Sequence, residues 1–168
     1  TVTSLVNFFK QRIDNIMTDD GAGYDVVNAI LTKPYDRLVE SYKKAMALQA
    51  FRNEADFAEL IAGFTRAANL LKNGETDGKV TENLLSEASE KALYKSVQNV
   101  EALVEQALLA KDYLNALKAI GSLRPLIDAF FTEVMVMVDD KAVRNNRLAL
   151  LAKVVGVTDQ IGDLSQIV

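Results

Sequence analysis

Phe57, Ile61, Phe64, Ala68 and Leu71 recur at alternating steps of four and three, and no other pattern restricts the fold of this chain so tightly. That spacing lays one apolar stripe along an α-helix, whereas a strand's period of two scatters the same residues over both faces. Leu93, Val97, Val100, Val104 and Ala107 repeat it further on. Composition points the same way: 2 prolines, 8 glycines and few aromatics sit beside many alanines and leucines, which favours helices over sheets. The 168 residues suffice for one buried core. The expectation is all-α, a single helical bundle of about seven helices, with residues 1–168 forming one domain.

Local signals divide the bundle. A first helix is expected over residues 4–17, with Leu5, Phe8, Phe9, Ile13 and Ile16 on its apolar side, stopping at Asp19-Asp20-Gly21. Asp25 is expected to cap a second, and Lys33-Pro34 to end it and open a third that runs to about Phe51. Asn53 is expected to cap the fourth, which ends near Asn73-Gly74 before a polar loop. A long helix over residues 81–110 and a short one capped by Asp112 and closed by Gly121 follow. Pro125 then starts a helix expected to run on through Val138, central and surrounded, with Met135 and Met137 as core filling. After Asp139-Asp140 a last long helix reaches about Val155, and a short helical tail lies around residues 161–167. The aromatic pairs Phe8-Phe9 and Phe130-Phe131 read as core rather than as base-stacking platforms.

The chain has no His and no Cys. That excludes Ser-His-Asp and Cys-His nucleophilic machinery and the usual zinc sites, and it fits a reducing cytoplasm. The aspartate pairs Asp19-Asp20 and Asp139-Asp140 lie at helix boundaries, where capping and the helix dipole account for acids. No catalytic residue and no metal site is expected, and a stand-alone enzyme finds no support. No apolar run approaches a membrane span, and nothing at the N-terminus resembles an export signal. The chain opens on Thr1 rather than Met, so it is expected to be a piece of a longer polypeptide.

Net charge is −4, which argues against a generic nucleic-acid binder. The charge is uneven. Between Glu75 and Glu105 acids outnumber lysines by the whole net charge, whereas from Asp139 to Lys153 the balance turns positive with Lys141, Arg144, Arg147 and Lys153. A nucleic-acid contact by such a chain has to be local and specific rather than a broad electrostatic one.

Two arginines stand out in the last helix. On a helical wheel Arg147 falls within the arc of Val143, Val154, Leu151 and Leu148, and Arg144 lies nearer its edge. A buried guanidinium without a partner costs several kcal/mol, so Arg147 is expected to pair with a carboxylate; Asp128 is the first candidate and Glu133 the second. Asn145, Asn146 and Lys153 fall on the wet side. Arg66, Asn69 and Lys72 form a polar stripe opposite the apolar face of the fourth helix. Taken alone, each stripe is an ordinary solvated face.

The terminal motif reads Asp128, Phe130, Phe131, Val134, Met135, Val136, Met137, Asp140, Arg144, Asn146, Arg147, Leu148, Leu150 and Leu151. It resembles the C-terminal end of bacterial glycyl-tRNA synthetase β subunits, within their DALR-type anticodon-binding domain. Asp25, Val26 and Ala29 in GYDVVNAIL, Arg66, Asn69 and Leu71 in FTRAANLL, and DLSQI from Asp163 are similar to further segments of that family, in order. Thr65 stands where the family usually carries Lys.

The resemblance implies a helical domain that binds the anticodon arm of glycine tRNA, within a β subunit that works beside a catalytic α subunit. It further implies that ATP and Mg belong to the catalytic subunit, with no cofactor in this domain. Its candidate RNA-binding residues are Arg66, Asn69, Lys72, Lys141, Arg144, Asn145 and Lys153, with Arg147 and Asp128 as a structural ion pair. The competing reading is an α-helical protein-interaction or scaffold module. Convergence of Arg66, Asn69, Lys72 and the wet side of the last helix on one patch favours RNA; dispersal beside an exposed apolar groove favours a protein partner.

Overall fold

A computed structural model describes residues 1–32 and 37–168 of the chain. Its helices are α1 (Val2–Asp19), α2 (Tyr24–Leu31), α3 (Leu38–Phe51), α4 (Phe57–Lys72), α5 (Ala88–Leu109), α6 (Tyr113–Gly121), α7 (Arg124–Glu133) and α8 (Lys141–Gly156), with short 3-10 turns at Glu82–Leu84 and Leu164–Gln166. No strand occurs among the described residues, as the apolar spacing predicts. The helix break expected at Lys33-Pro34 lies outside them.

One contiguous core joins the helices. α5 packs on α6 and α7, α6 on α3, and α4 on α8. Leu93, Leu117, Ile120, Ile127, Phe130, Leu148 and Leu151 are fully enclosed. α4 approaches α7 closely at Gly63, where an added Cβ would stand 2.8 Å from Ile127 Cγ2. The C-terminal segment folds back on the bundle: the Asp163 amide donates to the Ala29 carbonyl at 2.8 Å, and Ile161, Leu164 and Ile167 are buried.

Several local expectations are overturned. α2 begins at Tyr24, and Asp25 is not its cap. Asp25 is instead buried, accepting from Arg52 Nη1 at 2.7 Å and from the Val168 amide at 3.1 Å, so it ties α2, α3 and the end of the chain together. α4 starts after Asp56 rather than Asn53. α5 starts at Ala88, not near Thr81, because the Glu90 carboxylate accepts the Glu87 amide at 2.8 Å and closes the helix there. Asp112 and Asp140 cap α6 and α8 as expected, each accepting backbone N–H bonds.

The largest departure is in the apolar run after Pro125. α7 stops at Glu133, and Val134 turns extended at φ −111°, ψ 124°. From there Val134 and Val136 point inward at 5% and 6% exposure, while Met135 and Met137 point outward at 73% and 48%. This is the alternation of an extended strap, not a helix face. Met135 and Met137 are therefore not core. Neither are Phe8 and Phe9, which are exposed on α1, where only Ile13 and Met17 reach the body of the bundle.

Candidate nucleic-acid interface

Arg147 explains why the strap can exist. It is buried, as the helical wheel predicts, but its partner is Glu90 of α5, with Nε donating to Oε1 at 2.7 Å. Asp128 is exposed and bonds Arg124 one turn away at 3.0 Å; Glu133 is exposed as well. The expected pair fails because α7 ends before it can run beside α8, leaving Asp128 on an outer face. Arg147 Nη1 donates to the Met135 carbonyl at 2.8 Å, and Arg144 Nη1 to the Val138 carbonyl at 2.8 Å. Two arginines thus supply the donors that a helix would otherwise have provided to this backbone.

Glu90 is fully satisfied. Its second oxygen accepts from the amides of Ser86 and Glu87 at 2.9 and 2.8 Å and from the Ser86 hydroxyl at 3.2 Å. Burial pushes this carboxyl upward, but the Arg147 hydrogen bond, the two amides and the Arg147 charge outweigh it and hold it below the ordinary carboxylate range. Asp25 shows the same balance: burial raises it, and Arg52 with the Val168 and Val26 amides lowers it further. Asn146, expected on the wet side, is buried beside Arg147. Its side chain accepts from the Thr81 amide at 2.7 Å and donates to the Thr81 carbonyl at 3.1 Å, so it continues α8's hold on the segment before α5.

An open groove of about 720 Å³ runs between α4 and the strap. Arg66, Asn69 and Asn73 line one wall, and Met135 and Met137 the other. The Arg66 guanidinium lies 4.3 Å from the centre of the Phe131 ring, and it forms no ion pair among the described residues. A cation over an aromatic ring, with Glu59 and Asp128 lining the adjoining depression but neither within ion-pair distance of it, is available to a phosphate or to a stacked base. The amides of Met135, Val136 and Met137 donate to no acceptor among the described residues. The groove therefore offers charge, amide donors and acceptors, and apolar thioether surface along one line. Those are the contacts that splayed bases need.

The remaining candidates fall elsewhere. Lys72 is exposed one turn beyond Asn69, at the end of α4. Lys141 is exposed in the first turn of α8, and Asn145 lines a separate depression with Glu75, Asp77 and Lys79. Arg144 is committed to the strap. Lys153 is half-buried and paired with Glu101 of α5 at 3.1 Å. The structure brings Arg66 and Asn69 together but leaves Asn145 and Lys153 of α8 outside their groove, so the two polar stripes do not converge on one patch, and an exposed apolar groove lies elsewhere, between α1 and α3. Sequence reasoning missed the strap itself, whose signal was the strict Val-Met-Val-Met-Val alternation inside an apolar run.

Residues 60–165 match the DALR anticodon binding domain family, a span that holds most of α4, the strap and α8. The chain belongs to that family. It is 42% identical over 167 residues to the glycine–tRNA ligase beta subunit of Desulforamulus reducens, covering 99% of this chain and 24% of the relative. The corresponding subunit of Moorella thermoacetica is 42% identical over 164 residues, and that of Clostridioides difficile 38% over 167, each again with 24% of the relative covered. The chain thus spans about a quarter of the length of the curated relatives it matches. Among the described residues no helix is long and apolar enough to cross a membrane.

Proposed function

We propose that this chain is the anticodon-binding part of a glycine–tRNA ligase β subunit and that it grips the anticodon arm of glycine tRNA in the groove between α4 and the strap. The observation that carries the reading is Arg66, held over Phe131 with no ion pair among the described residues, beside Asn69 and the unengaged strap amides. Glycine anticodons share two cytosines, each presenting an amino donor and O2 and N3 acceptors. Asn69, Asn73 and the strap backbone carry the complementary groups within one groove. Lys72 extends the same helix toward the phosphates, with Lys141 and Asn145 at greater remove.

In this reading glycine activation, with its ATP and Mg, belongs to a separate α subunit. The domain itself uses no cofactor, and its partners are glycine tRNA, the rest of the β subunit and the α subunit, in the cytoplasm. A gel shift with glycine tRNA against the same tRNA carrying replaced anticodon cytosines tests it. Binding that falls on replacement supports the reading; equal binding to both overturns it.

A further inference from the structure

The apolar stripe of α1 does not end where the bundle ends. Ile13 and Met17 are buried against the body, but Val2, Leu5, Phe9 and Ile16 lie on the same side of the helix and are 80%, 57%, 45% and 47% exposed. Every residue from Thr1 to Arg12 is exposed, so the first turns of α1 project from the fold without tertiary support. Helical segments that short are marginal in water unless an apolar face is packed. Leu38 and Val39 at the start of α3 extend the patch, and with Phe9, Ile16 and Tyr42 they wall a groove of about 380 Å³. Isolated exposed apolar residues are ordinary, but a contiguous patch aligned with a buried stripe marks an interface.

We propose that this face is the seat of an apolar surface from the remainder of a longer polypeptide of which this chain is one part. The inference rests on the β-subunit reading above. The occupant follows from two facts: almost the whole chain aligns with relatives, and it spans only 24% of their length. A protein built like them carries some three-quarters of its polypeptide outside this domain. That polypeptide meets the patch at the high effective concentration of a tethered partner. A nucleic acid is a poor occupant, because among the described residues Arg12 is the only charged side chain in the groove's wall.

Hydrogen exchange on the 168-residue chain and on a full-length β subunit carrying it decides the matter. Amides of residues 4–12 are expected to exchange freely in the short chain and at least about 100-fold more slowly in the long one. The variant Phe9→Glu should leave the melting temperature of the short chain unchanged and abolish the protection in the long one. Equal exchange in both chains overturns the proposal. So does a short chain that dimerises with α1 protected and becomes monomeric on Phe9→Glu, which would make a second copy the occupant. Anticodon-dependent tRNA binding in the same samples reports separately: protection of α1 without it would sink the functional reading and leave this one standing.

Discussion

At the scale of single residues, the fold is most vulnerable at two buried carboxylates, Glu90 paired with the buried Arg147 and Asp25 paired with the half-buried Arg52. Such pairs gain little over an apolar replacement of both partners, but removing one side strands the other in a dry site. Arg147→Ala leaves Glu90 enclosed by core and frees the Met135 carbonyl at once. Chemical denaturation should show a loss of about 3–5 kcal/mol. A loss below about 1 kcal/mol would mean the pair is not holding the fold. Acid should act on the same groups. Both carboxyls lie below their ordinary range in the folded chain. Their contribution is therefore fully present above the pKa of an unfolded carboxylate and drains away as pH falls toward the lowered folded values. Unfolding free energy measured from pH 7 down to pH 3 should decline steeply in that acidic window, and more gently in Glu90→Gln, whose amide does not titrate. Wheel reasoning gave Arg147 its burial but not its partner. Glu90 sits far off in sequence, and nothing local announces which acid a long-range fold will bring near.

At the scale of elements, what was legible follows a physical divide. α4, marked by its apolar stripe, and α6 and α8, marked by their capping aspartates, form close to where the sequence puts them, because the local signal and the tertiary burial agree. The strap was hidden because Val134 to Val138 is apolar at every position, so its total hydrophobicity suits a buried helix while its alternation suits an extended segment. The arginines of α8 decide between them by bonding its carbonyls. Half of the candidate site was legible for a related reason: Arg66 and Asn69 share a helix face, whereas their facing wall comes from a segment whose conformation is set by distant residues. This arrangement separates binding from folding. Arg66→Ala removes an exposed cation that has no ion-pair partner, so stability should change by no more than about 1 kcal/mol while affinity for glycine tRNA falls by about 10-fold. Lys153→Ala is the matched control: its ammonium is already occupied by Glu101, on the other side of α8's packing, and binding should be unaffected. Equal losses from both substitutions would place the RNA on the α8 face instead of the α4 groove.

At the scale of the whole molecule, the charge distribution sets the kind of binder this is. With a net charge of −4 and its acidic excess between Glu75 and Glu105, the chain has no broad field to draw in a polyanion. Its affinity has to come from a few contacts in one groove, and its position near the RNA from whatever the α1 face is seated on. Two expectations follow from that division. The isolated 168-residue chain should bind glycine tRNA weakly, with a dissociation constant on the order of micromolar or higher, and the logarithm of its affinity should fall with the logarithm of salt along a shallow slope of about −1 to −3, one to three phosphate contacts. A slope steeper than about −5 would require a basic surface that the domain does not have. If the proposed role holds, an intact ligase would deliver this groove to the anticodon, and its loss would be felt as lost tRNA capture rather than lost chemistry. Deleting the region should raise KM for tRNA while leaving glycine-dependent ATP–pyrophosphate exchange nearly intact, because the role proposed for it is tRNA capture rather than glycine activation. A deletion that abolished exchange and left tRNA affinity unchanged would move the domain's role from reading the tRNA to building the catalytic site.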